Sequence, residues 1–123
     1  MEHLTQQEET AMRRLWALGD GTVKDILDGY AEPVPPYTTL ASVVKNLERK
    51  GYVRARRVGN TYLYVPLVAE SDYKRQGLRR MVCNYFGNSY KDLVSFFVRE
   101  EQLSTAELEE LVRLIEEQKT GEK

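Results

Sequence analysis

Soft metal ligands are almost missing from this chain: Cys83 is its only cysteine and His3 its only histidine. One thiol permits no intrachain disulfide, which suits a reducing compartment and predicts a cytoplasmic protein. Two such residues are too few for a structural or sensory zinc site, so no metal and no cofactor are expected. No apolar run approaches the roughly 18 residues of a membrane span, and no stable membrane association is expected. The polar, acidic start from Met1 to Glu9 predicts no secretory signal. Gly-rich phosphate loops, ligand clusters, internal repeats and low-complexity tracts are missing too. His3 lies too near the terminus to anchor a catalytic triad. Cys83, set among Met81, Val82 and Tyr85, is expected to be a buried thiol with a packing role rather than a nucleophile. Together these gaps argue against an enzyme.

What remains is an ordinary globular composition, 41% hydrophobic and 30% charged, with an unusual distribution of charge. The net charge is only −1, but from Pro36 to Arg80 ten basic residues face three acidic ones, while from Glu100 to Lys123 three basic residues face eight acidic ones. A basic middle and an acidic end are the footprint of a chain whose middle meets phosphates and whose tail does not.

Periodicity divides the chain into six helices and a hairpin. Thr5 with Glu8 forms a capping box ahead of a helix from about Gln6 to Leu18, on which Glu8, Met12 and Trp16 recur every fourth residue. Thr22 with Asp25 starts a short second helix over Val23 to Asp28. Pro33, Pro35 and Pro36 enforce a loop, and a third helix follows from about Thr38 to Lys50, stopped by Gly51. Two β-rich runs, Tyr52 to Val58 and Thr61 to Val65, flank Gly59-Asn60, the signature of a β-hairpin. Helices from about Ser71 to Phe86, from Ser89 and from Ser104 complete the chain, the last opened by a Ser104/Glu107 capping box. On the first of these three, Tyr73, Leu78, Met81, Val82 and Tyr85 are candidate packing residues.

The expected fold class is mainly α with a small β-hairpin: a winged helix-turn-helix domain over residues 1–68 and a helical dimerisation domain over 69–123. The third helix turns Leu40, Val43, Val44 and Leu47 inward, leaving Thr38, Thr39, Ser42, Lys45, Asn46 and Arg49 for a DNA groove. Thr38, Thr39, Ser42 and Asn46 suit base edges, whereas Lys45, Arg49, Arg54, Arg56 and Arg57 suit phosphates. Leu93, Val94, Phe96, Phe97, Leu108, Leu111, Val112 and Ile115 are many apolar anchors for so short a segment, and a second copy of the chain is expected to cover them. The residues leave two readings open, an operator-binding dimer and a winged-helix module that holds a protein partner.

Along nearly its whole length, from about Leu4 to Gln118, the chain resembles the penicillinase and methicillin-resistance repressors, the BlaI/MecI/CopY group of bacterial regulators. The first likeness is LTQQEETAMRRLW, with its glutamate, methionine and tryptophan. The second is TTLASVVKNLERKGYVRARRVGNTYLYVPLV, with Thr39, Leu47, Lys50, Gly51, Tyr64 and Val68 at matching positions. ESDYKRQ and LVSFFVREEQLSTAELEELVRLIEE resemble the dimerisation segment. The resemblance implies a homodimeric repressor on an inverted repeat, often with TACA and TGTA half-sites. It also implies a membrane sensor-protease as a partner, with cleavage at Phe96-Phe97, where the best-known members carry Asn-Phe. Ala41 and Asn46 stand where staphylococcal relatives carry arginine, which implies a different preferred operator. The cysteine-rich tail of the copper-responsive branch has no counterpart here.

Overall fold

The computed structural model describes residues 2–100 and 103–121. Its elements are α1 (Gln6–Leu18), α2 (Val23–Asp28), α3 (Tyr37–Arg49), β1 (Val53–Val58), β2 (Thr61–Pro66), α4 (Glu70–Phe86), α5 (Tyr90–Arg99) and α6 (Thr105–Gly121). This is the expected class, helical with one two-stranded antiparallel hairpin.

Local chemistry sets the boundaries. Thr5 accepts from the Glu8 backbone N–H while Glu8 accepts from that of Thr5, and Thr22 and Asp25 do the same, so α1 and α2 both open on complete capping boxes. Gly51 follows α3 with φ of 85°, a conformation that a side chain would strain. The hairpin register pairs Val58 with Thr61 across Gly59-Asn60. Positive φ at Gly59 and not at Asn60 is the pattern of a type II′ turn.

The chain forms two compact units, Met1–Arg75 and Gln76–Lys123. The first has a single core. Met12 and Leu15 of α1, Ile26 of α2, and Leu40, Val43, Val44 and Leu47 of α3 meet Tyr52, Val53 and Tyr64 from the hairpin. All four inward residues expected on α3 are buried. The hairpin is fastened by a bridge that the sequence pattern does not announce: Tyr64 donates its backbone N–H to the Gly21 carbonyl at 2.8 Å, and Gly21 donates to the Tyr64 carbonyl at 3.1 Å. The turn between α1 and α2 thus acts as a third, one-residue strand.

The first unit ends inside α4, later than the expected break after Val68, because the first turn of α4 is tied to α1. Tyr73 donates its hydroxyl to Glu9 Oε2 at 2.6 Å, and its ring lies 5.5 Å from that of Trp16 and 6.0 Å from that of Tyr52. Trp16 donates its indole N–H to the Val68 carbonyl at 2.8 Å, closing the seam. Trp16→Phe keeps most of the ring contact but strands that carbonyl. It should lower unfolding free energy by about 1–2 kcal/mol in urea titrations.

In the second unit, Val82 of α4 and Leu93 of α5 are buried, and the Phe86 and Phe96 rings meet edge to face at 5.8 Å. Of the packing residues expected on α4, Tyr73 and Met81 are half-buried and Val82 is buried, whereas Leu78 and Tyr85 are exposed. Cys83 is exposed as well, contrary to the expected buried thiol. It follows the buried Val82 and is therefore turned about 100° around the helix from the covered side.

Candidate nucleic-acid interface

The surface opposite the α3 core stripe carries the α3 residues expected to meet a DNA groove. Thr38, Thr39, Ser42, Lys45, Asn46 and Arg49 are all exposed. They share one side because the core takes Leu40, Val43, Val44 and Leu47, at spacings of three and four, for the other. Unlike α1 and α2, α3 begins on Pro36 with no side-chain cap. Its first-turn N–H groups therefore meet no side-chain acceptor and are left with the positive end of the helix dipole.

The hairpin places its arginines by alternation. Val53 is buried and Ala55 half-buried, so Arg54 and Arg56 fall on the opposite, exposed face of β1. Arg57 alternates with them but lies beyond the core, opposite Tyr62, and its Nε donates to the Gly59 carbonyl at 3.2 Å, bracing the turn. Arg49 Nη1 approaches Glu2 Oε1 at 3.9 Å, a loose contact between two exposed side chains. All nine proposed DNA contacts are thus exposed side chains of one compact unit.

Two residues beside this surface escape sequence reasoning. Lys50 donates to Glu8 Oε1 at 2.6 Å and to the His3 carbonyl at 2.9 Å, and the Lys50 and Glu8 side chains are only 9% and 5% exposed. Burial pushes the Glu8 carboxyl up, but the hydrogen bonds from Lys50 and Thr5 and the ammonium charge outweigh it, and the net shift is downward. Lys50, which counts toward the basic patch in the sequence, is therefore a buried strut between the end of α3 and the start of α1. The other is Tyr37, which opens α3 one residue before the expected start and is 54% exposed.

Next to Thr39 lies an open cleft of about 500 Å³, edged by Gln6, Gln7 and Thr10 of α1 and floored by Tyr30, Leu40 and Val43. No carboxylate, histidine, cysteine or lysine lines it, so the cleft offers no acid–base pair.

The geometry suits a winged helix-turn-helix, and comparison with known proteins supplies the relationship. The family profile described as penicillinase repressor matches residues 4–117. The chain belongs to the penicillinase repressor family. It is 27% identical over 85 residues to the penicillinase repressor of Bacillus licheniformis, covering 69% of this chain and 66% of that one. It is 29% identical over 77 residues to the methicillin resistance regulatory protein MecI of Staphylococcus aureus, covering 63% of each. The aligned part of the chain therefore spans just under two thirds of the length of these curated relatives. A solved structure described as a possible transcriptional regulator for arsenical resistance aligns with 75% of this chain and 95% of its own. Its identity is 19% and its TM-score 0.44, a likeness too loose to add to the fold read from the chain itself. The penicillinase repressor family is one of repressors and not of enzymes.

The residues expected to pair two chains are distributed unevenly. Val94, Phe96 and Phe97 of α5 and Leu111, Val112 and Ile115 of α6 are exposed, Leu108 is half-buried, and Leu93 is buried by its own chain. Among the described residues no helix is long and apolar enough to cross a membrane.

Proposed function

We propose that this member of the penicillinase repressor family is a cytoplasmic transcriptional repressor that binds an inverted-repeat operator as a homodimer. The observation that carries the reading is the free polar side of α3 beside the exposed Arg54 and Arg56, on a helix whose other side is fully committed to the core. Such a helix can enter a major groove without disturbing its own domain. Thr38, Thr39, Ser42 and Asn46 are the base-edge readers, and Lys45, Arg49, Arg54, Arg56 and Arg57 neutralise phosphates.

The relatives carry the names of penicillinase and methicillin-resistance repressors, which supports repression as the outcome of binding. Release by a membrane sensor-protease that cuts at Phe96-Phe97 belongs to the same reading. The bond lies within α5, so one cut would break up the apolar surface that brings two chains together.

Salt dependence separates DNA binding from a protein-partner role. Each neutralised phosphate steepens the slope of log affinity against log salt by about 0.9. Arg56→Ala should weaken binding to every duplex alike and flatten that slope by about one such step. Ser42→Ala should instead change the ranking of duplexes and leave the slope alone. Fluorescence anisotropy across a salt series reads both. A flat response of the native protein would contradict the DNA reading and favour the protein partner.

A further inference from the structure

We propose that Tyr37 is a specificity-determining residue of this protein, its phenol hydroxyl contacting a base edge at the start of the groove-reading helix. The inference rests on the DNA reading above and extends it to a residue outside the nine contacts already named.

The first turn of a recognition helix comes nearest to the bases. In this chain that turn begins with Tyr37, ahead of Thr38 and Thr39. Both threonines are short, so Tyr37 is the longest polar side chain there. It is 54% exposed, and since Tyr62, Tyr85 and Tyr90 are exposed as well, this leaves the ring accessible to a ligand without by itself setting it apart. Its hydroxyl makes no hydrogen bond among the described residues. The core does not use Tyr37 either, for it is absent from the buried cluster and from the apolar residues packed against it.

The position of Tyr37 on the helix is also informative. Burial holds the Tyr64 hydroxyl above its usual range, with added contributions from Glu48, Tyr37 and Tyr62. Tyr37 is therefore within electrostatic reach of Tyr64 on β2; by helical spacing it stacks over Leu40, Ala41 and Val44 at the edge of the core stripe, about 100° from Thr38, so its reach to a groove comes from its length and its place in the first turn. Tyr62, 49% exposed and opposite Arg57, lies on that same strand. A phenol at the start of the recognition helix, with no hydrogen bond holding its hydroxyl, can donate to purine N7, guanine O6 or thymine O4, and its ring edge can meet a thymine methyl. A phosphate-neutralising role would call for a cation, and the arginines of the wing already supply several.

The test is selection from a duplex library with randomised half-sites, using the full chain and its Tyr37→Phe, Tyr37→Ala and Arg56→Ala variants. Native protein should enrich a motif. Both Tyr37 variants should enrich a motif relaxed at one position in each half-site, with affinity for the native-selected duplex down roughly threefold to tenfold. Their salt slope should match that of the native protein, while Arg56→Ala lowers the slope and keeps the motif. Because Tyr37 is exposed, thermal unfolding should be unchanged; if Tyr37→Ala nevertheless loses its fold, Tyr37→Phe decides. An unaltered motif, or equal loss on all sequences, would overturn the assignment while leaving the DNA reading intact. Native protein that enriches nothing would overturn both.

Discussion

Lys50→Met is expected to cost the N-terminal unit about 3–5 kcal/mol, the penalty for leaving one charge of a buried ion pair uncompensated. The reason is geometric. Glu8 is held in place by the start of α1, its carboxylate fixed by the Thr5 N–H, and only 5% of its side chain reaches solvent. Remove the ammonium and the carboxylate can neither rotate to water nor find another cation. A unit of this size has total stability of roughly 5–10 kcal/mol, so much of it is at stake. Glu8→Gln should cost less, because an amide still accepts from Thr5 and Lys50 still reaches the His3 carbonyl. The double variant Glu8→Gln with Lys50→Met should recover part of the loss.

Acid provides a second readout. The folded Glu8 carboxyl titrates below the ordinary 4.5, so its contribution is complete above about that pH and is lost as the pH falls through the folded value. In Lys50→Met only Thr5 is left to oppose burial, so the carboxyl titrates at a higher pH than in the native protein and the variant gains on the native protein as the solution is acidified. Urea unfolding at pH 7 and at pH 4 should therefore show a gap between the two proteins that narrows in acid. Equal stabilities at pH 7 would refute the structural role assigned to Lys50.

That pair also shows what the amino-acid pattern discloses and what it hides. Features encoded within a few residues are legible: the Thr5/Glu8 and Thr22/Asp25 capping boxes, the three-and-four spacing of Leu40, Val43, Val44 and Leu47, and Gly59-Asn60 between β-rich runs. Each is a local rule with a local cause, and α1, α2 and the hairpin turn fall where those rules put them. Contacts joined by folding are not legible. Glu8 and Lys50 are 42 positions apart, and nothing about a lysine after a basic helix says that it turns inward. The Tyr73 hydroxyl reaches Glu9 across 64 positions, which is why the first unit continues into α4. Gly21 reads as turn punctuation until Tyr64 arrives beside it. The exposure of Cys83 follows from a helical rotation that a run of apolar neighbours conceals. The interface is intermediate: helical spacing predicts which side of α3 is free, but the placement of Tyr37 depends on where Pro36 lets the helix begin.

The largest effect on operator binding should come from residues outside the winged unit. α5 carries Leu93, Val94, Phe96, Phe97 and Val98 around most of its circumference, and of these only Leu93 is buried. On α6, Leu108, Leu111, Val112 and Ile115 form one stripe, and Ile115 is 57% exposed. A helix apolar on most sides is stable in water only when something covers it, and a second copy offers the same surface in return. Phe97→Asp combined with Ile115→Asp places two charges in that surface, which an apolar interface cannot hydrate. Light scattering at micromolar concentration should find the native chain dimeric and the double variant monomeric. The winged unit has its own core, so its thermal unfolding should persist. Linking two reading heads makes the second binding event intramolecular and raises avidity by about 10²- to 10⁴-fold, so a monomer should lose that factor on an inverted repeat. On a single half-site the variant and an isolated native head should bind alike. A native chain that is monomeric would mean that the operator is read by one head at a time, and a charged variant that stays dimeric with full affinity would mean that two chains pair through some other surface.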